Sequence, residues 1–213
     1  MMRKSQMIFL VIVFVCLFTI TSIPEFIKSL TPNEHLETKK IKGGGIEYRL
    51  TQGNFRVGND IPEGYYDVTS DGDNYFNGTQ LSDGDQFLGL KLYDENIAQV
   101  SGKGTIKLER SAFSPVSKDG DVYKINHSGF YTIGQQIKSG KYIITYETRN
   151  NELLKEDPWF QIISADLQKI IGGDSFGDAN QFEVNLKENT WLELNQSGFS
   201  TNKNVFFYLT PVK

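Results

Sequence analysis

The chain has 213 residues, 38% of them hydrophobic and 13% aromatic, which is ample for one large or two small packed cores and reads as globular. Setting aside Arg3, Lys4, Lys28 and Glu25 near the amino terminus leaves 19 of the 22 basic and 25 of the 26 acidic residues, a net of −6 for positions 31–213. An acidic body has no long-range attraction for nucleic acid or anionic lipid, so nucleic acid is excluded as the expected partner.

The first element is "MMRKSQMIFLVIVFVCLFTITSIPEF", in which Arg3 and Lys4 precede an uncharged run from Met7 to Ile23. At about 1.5 Å per residue that run spans roughly 26 Å, close to the hydrocarbon thickness of about 30 Å. Residues 1–28 are therefore read as a signal-anchor transmembrane helix. The two cations hold its amino end in the cytoplasm and place the remaining body outside, as a single-pass protein of the cell membrane. The alternative is a cleaved signal peptide and a secreted body; against it, Thr19, Thr21 and Ser22, with Pro24 close behind, make a poor cut site. The single cysteine, Cys16, lies mid-run behind Phe14 and Val15, which disfavours lipidation, and the exported part carries no disulfide.

Residues 29–45, "SLTPNEHLETKKIKGGG", are polar and end in three glycines, the composition of a flexible linker. Beyond it one phrase occurs twice. Phe55, Val57, Gly58, Ile61, Gly64 and Tyr66 match Tyr131, Ile133, Gly134, Ile137, Gly140 and Tyr142 in residue class, each pair 76 residues apart. Each copy is preceded by a strand-like run, "IEYRL" (46–50) or "VYKI" (122–125). Alternation at 55, 57 and 66, 68 describes strands with one buried face around a turn. Gly58, Gly64, Gly134 and Gly140 are expected as structural turn residues, with Pro62 stiffening the first copy.

Further strand-like runs follow at short spacing, and only "SADLQKIIGG" reads as a helix, of one or two turns. The expected fold is all-β: two tandem β-sandwich, jelly-roll-like units related by the internal repeat, at 43–117 and 121–213, with the extra length of the second between Glu147 and Phe182. "NGT", "NHS" and "NQS" fit a glycosylation acceptor but read as turns.

"FRVGNDIPEGYYDV" (55–68) resembles the Y-x-V-G-x-D-I-P-x-G-x-Y phrase of uncharacterised secreted, lipoprotein and membrane-anchored proteins of Gram-positive bacteria. The match is looser over 131–144, where Gln135, Gln136, Lys138 and Ser139 depart from it. The resemblance implies an exported bacterial β domain and brings no catalytic residue, ligand or cofactor.

For chemistry there is little raw material. His35 and His127 are the only histidines, one in the linker and one in a turn, so triad catalysis and zinc are disfavoured and no cofactor is expected. Of the "DGD" runs at 71–73, 83–85 and 119–121, the first lacks the sixth-position glycine and twelfth-position glutamate of a calcium loop, and all three read as Asp-Gly turns. Aromatic residues beside turns are the better lead: Tyr75, Phe76, Trp159 and Phe160, with Tyr65 and Tyr93, suit sugar or peptide contact, or else cap the core. The expected function is a membrane-anchored extracytoplasmic interaction or accessory module, not an enzyme, with a cell-wall polymer or a membrane protein as partner. The rival is an envelope hydrolase using a carboxylate pair on the same scaffold.

Overall fold

Period-two alternation of apolar and polar residues runs through the chain after the linker, and the chain answers with strands. The structure, a computed structural model, describes residues 35–41, 45–149, 154, 156–177, 179–196 and 204–212. The expected anchor at 1–28 and positions 29–34 and 42–44 of the expected linker lie outside the described residues. Among the described residues no helix is long and apolar enough to cross a membrane.

The first half contributes β1 (Leu36–Lys40), β2 (Ile46–Leu50), β3 (Gly53–Arg56), β4 (Gly64–Asp71), β5 (Asn74–Phe76), β6 (Thr79–Leu81), β7 (Gln86–Leu92), β8 (Ile97–Gly102) and β9 (Thr105–Arg110). The second contributes β10 (Lys118–Asp119), β11 (Val122–Ile125), β12 (Ser128–Thr132), β13 (Gly140–Thr148), β14 (Trp159–Ile163), β15 (Ile170–Ser175), β16 (Gln181–Leu186), β17 (Trp191–Asn195) and β18 (Val205–Pro211). The strand order β1-β2-β9-β4-β7 recurs as β10-β11-β18-β13-β16, and β3-β8-β5-β6 recurs as β12-β17-β14-β15. The protein is all-β, and each half packs two sheets face to face, as in a β-sandwich.

The sheets are not separate between the halves. Strand β7 pairs in parallel with β12, Phe87 opposite Ser128 and Leu88 opposite Gly129. This pairing fuses five strands of the first half with four of the second into one sheet, β1-β2-β9-β4-β7-β12-β17-β14-β15. Both strands carry a glycine at the join because they approach too closely for a side chain. A Cβ on Gly89 would lie 2.5 Å from the Phe130 carbonyl oxygen, and one on Gly129 would run into the Leu88 backbone.

Each half keeps its own core. Leu50, Phe55, Tyr66, Val68, Phe76, Val100, Ile106 and Leu108 belong to the first; Tyr131, Ile144, Phe160, Phe176, Leu192, Leu194 and Phe207 belong to the second. The join interlocks them, since Leu88 of β7 packs against the second core and Phe130 of β12 against the first.

The duplicated phrase has the same geometry in both places. Val57 bridges Ile61 as Ile133 bridges Ile137. The Gly58 N–H donates to the Ile61 carbonyl at 2.8 Å and the Gly134 N–H to that of Ile137 at 2.7 Å. The Tyr66 hydroxyl donates to the Pro62 carbonyl at 2.6 Å, and that of Tyr142 to Lys138 at 2.9 Å. Gly58 and Gly134 sit at φ 94° and 104°, each against a carboxylate, Asp94 or Glu188, from a later turn; Gly64 and Gly140 follow at 146° and 154°. The shared demand is a left-handed residue with no side chain under an acid, which only glycine meets without strain.

Two expectations need amending. Leu36–Lys40, inside the expected flexible linker, is a strand paired along its length with β2, because its backbone groups find partners on an otherwise open sheet edge. "SADLQKIIGG" is not a helix. Asp166 accepts hydrogen bonds from the Ser164 hydroxyl at 2.6 Å and the Gln168 N–H at 3.1 Å, closing a local turn that competes with helix, and Ile170–Ser175 then continues as β15. The extra length of the second half is divided between the longer connection from β13 to β14 and that turn with its lengthened β14–β15 hairpin. In the first half the equivalent β5–β6 hairpin turns through Asn77 and Gly78 alone, at φ 50° and 84°.

A candidate site on the joined sheet

Strand alternation decides which side chains leave the core. In β4, Tyr66 and Val68 point into the first core and Tyr65 points out; in β17, Leu192 and Leu194 point into the second and Glu193 points out. Gln161 of β14 and Phe130 of β12 both lie opposite Glu193 across the ladders, so they share its face of the sheet. Because β4, β7, β12, β17, β14 and β15 are consecutive, outward residues from both halves meet over the join.

They line a cleft of about 430 Å³, with Tyr65, Lys91 and Tyr93 from the first half and Phe130, Ile163 and Glu193 from the second. That size suits a small ligand or a single side chain. The turn carrying Leu167 and Lys169 forms one wall. Beside the cleft, Tyr65 stacks on Trp191 with centroids 5.1 Å apart and an interplanar angle of 16°, and Phe113 meets both edge-on at 5.3 and 5.6 Å. Phe113 lies on the segment connecting the halves. The Lys91 ammonium stands 4.6 Å from the Tyr65 ring centroid and 5.6 Å from that of Tyr93, a cation–π arrangement on the first-half side.

Glu193 is the chemically unusual member. Among the described residues its carboxyl has no hydrogen-bond partner and no ion pair, and burial pushes it up from 4.5 to about 7. A carboxyl withdrawn from water without compensation destabilises the fold unless it is protonated.

The other outward acids are differently placed. Glu47 on β2 lies opposite Glu109 on β9; burial first, then a hydrogen bond and repulsion from Glu47, raise the Glu109 carboxyl. Arg49 Nε holds Glu47 at 2.6 Å. Asp67 accepts from the Gly89 N–H at 2.9 Å and the Ser111 hydroxyl at 2.6 Å, pinning the connecting segment to the join. His127, half-buried nearby, is held below its ordinary value by desolvation, with Asp85 and Asp67 opposing. Among the described residues no group of three His, Cys, Asp or Glu side chains is placed to hold a metal.

The aromatic residues expected at a ligand site do not come together. Phe76 is 3% exposed in the first core and Phe160 2% exposed in the second, so neither presents a surface. Both fall on the inward phase of their strands. Tyr75 is exposed, but on β5 of the four-stranded sheet; Trp159 is half-exposed on β14, at a shallow groove beside β15. Tyr65 and Tyr93 do reach the cleft. Sequence reading missed Glu193, Phe130 and Lys91. A signal was present in "TWLELN", where Trp191 and Glu193 share the outward phase, but the strands that flank Glu193, β12 and β14, are not its neighbours in the chain. No family model matches the chain, and no curated protein matches it in sequence.

Proposed function

We propose that the protein is a membrane-anchored extracytoplasmic interaction or accessory module of the cell envelope of Gram-positive bacteria. In this reading it is built of two tandem jelly-roll-like β-sandwich units related by an internal repeat, with the cleft over their join as the binding site. The observation that carries the reading is Glu193: an unpartnered, desolvated carboxyl beside aromatic walls is costly to stability and is expected where a ligand completes it. The anchor rests on Arg3 and Lys4 before the apolar run Met7–Ile23, and the envelope setting on the phrase at 55–68.

A hydrolase is the second reading, because Glu47 and Glu109 are an acid pair. Two carboxyls in hydrogen-bond contact are closer than the roughly 5 Å or more that glycoside hydrolysis requires, and neither lines the cleft, which supports binding over turnover. The test is retention of peptidoglycan, teichoic acid and membrane-protein fractions by the purified full chain, run beside a hydrolysis screen on the same material. Retention lost in Tyr65→Ala and Phe130→Ala but kept in Tyr75→Ala supports the cleft. Turnover abolished by Glu109→Gln replaces the binding reading with the hydrolase.

A further inference from the structure

We propose that the cleft recognises an ammonium group, with the Glu193 carboxylate as its counter-ion, on a small ligand that also carries an apolar or aromatic body. This rests on the cleft being a ligand site and adds the chemistry of what it takes. Glu193 is the one carboxylate among the described lining residues. Phe130 of β12 and Gln161 of β14 flank it across the ladders, and Ile163, Tyr65 and Ile170 add apolar surface to the same cleft.

The charged groups facing the cleft are Lys91 from β7 and Lys169 from the turn before β15, with the phenols of Tyr65 and Tyr93. Neither lysine pairs with Glu193: the Lys91 ammonium is held over the two tyrosine rings and Lys169 is exposed. Two inter-strand steps of about 4.8 Å separate β7 from β17, so Glu193 lies roughly 10 Å across the sheet from the Lys91 strand. Among the described residues the carboxylate is thus left without a cation, and a ligand ammonium supplies one in a half-buried setting where screening is weaker than in bulk water. Phe130 lies directly opposite Glu193 on the same face of the sheet, and the aliphatic wall of Ile163 and Leu167 takes the body attached to the cation. At the Glu193 end of the cleft an anionic group would be repelled, and a neutral one would leave the carboxylate unpaired.

Protons must balance. With the free carboxyl titrating near 7, an ammonium that binds only the ionised form displaces the proton of the protonated fraction to solvent.

The experiment titrates the isotope-labelled full chain with 2-phenylethylammonium chloride, its neutral isostere 2-phenylethanol, and phenylacetate, following the amides of Phe130, Gln161 and Glu193. The expected result at about pH 8 is an ammonium affinity at least about tenfold above that of the alcohol. The preference should shrink to about twofold or less near pH 5.5, disappear in Glu193→Gln, and be accompanied by proton release in calorimetry across buffers of different ionisation enthalpy. Equal binding of alcohol and ammonium to the parent protein overturns the proposal without any variant, and so does tighter binding of phenylacetate or a preference surviving in Glu193→Gln. In those cases shifts at the cleft still support it as a ligand site and only the ammonium assignment falls. If no probe moves the cleft amides at about 10 mM, both readings fall.

Discussion

Burial without a partner gives Glu193 a definite pH signature. Its carboxyl stands at about 7 in the folded chain against an ordinary 4.5, so between those values the folded state binds more protons than the unfolded one. Stability contributed by the protonated form is therefore fully present below about pH 4.5 and is lost as pH rises toward 7. At about 1.4 kcal/mol per unit, the loss is on the order of 3 kcal/mol. Glu193→Gln should match the parent below pH 4.5 and exceed it by a similar amount at pH 8, measured by urea unfolding at the two pH values. Gly58 and Gly134 make a second test at this scale. Valine at either position is forced to a positive φ and into Asp94 or Glu188, and should cost at least about 1–2 kcal/mol in the same assay.

Most elements were legible because they are local. Ile46–Leu50 and Val122–Ile125 are strands with the bounds that alternation gives, and the Asp-Gly and Asn-Gly turns follow from residues that tolerate positive φ. What was not legible is the pairing of β7 with β12, since no short-range pattern distinguishes a strand at a sandwich edge from one that continues into another sheet. The cleft inherits that illegibility. Phe76 and Phe160 looked available beside turns and are core by one residue of phase, whereas Glu193 looked like an ordinary exposed acid. The turn at Ser164–Lys169 was missed because Asp166 satisfies the local backbone donors that a helix would need. The join makes its own prediction: Gly129→Val places a side chain against the Leu88 backbone, and should split a single thermal transition into two while each core persists. A shift in midpoint with one transition retained would mean that the halves do not depend on the β7–β12 pair for their coupling.

Taken whole, the described chain is one body with two cores and one continuous sheet between them. Duplication explains the repeated geometry, and fusion of the sheets explains what the second copy adds, a concave face that neither half builds alone. If the Met7–Ile23 run anchors this body, protease added to intact cells should release most of the chain beyond residue 40 and leave a membrane-bound stub; recovery of the entire body in the medium, starting near Ile23, would indicate a cleaved signal instead. The central claim is that Glu193 lies desolvated and, among the described residues, unpaired in the cleft over the join. The direct measurement is carbon-detected titration of the Glu193 side-chain carboxyl in the unliganded full chain. A midpoint near 7 that falls toward the ordinary range in Gly129→Val, where the join is broken, is the predicted result; a midpoint near 4.5 in the parent protein would contradict the account.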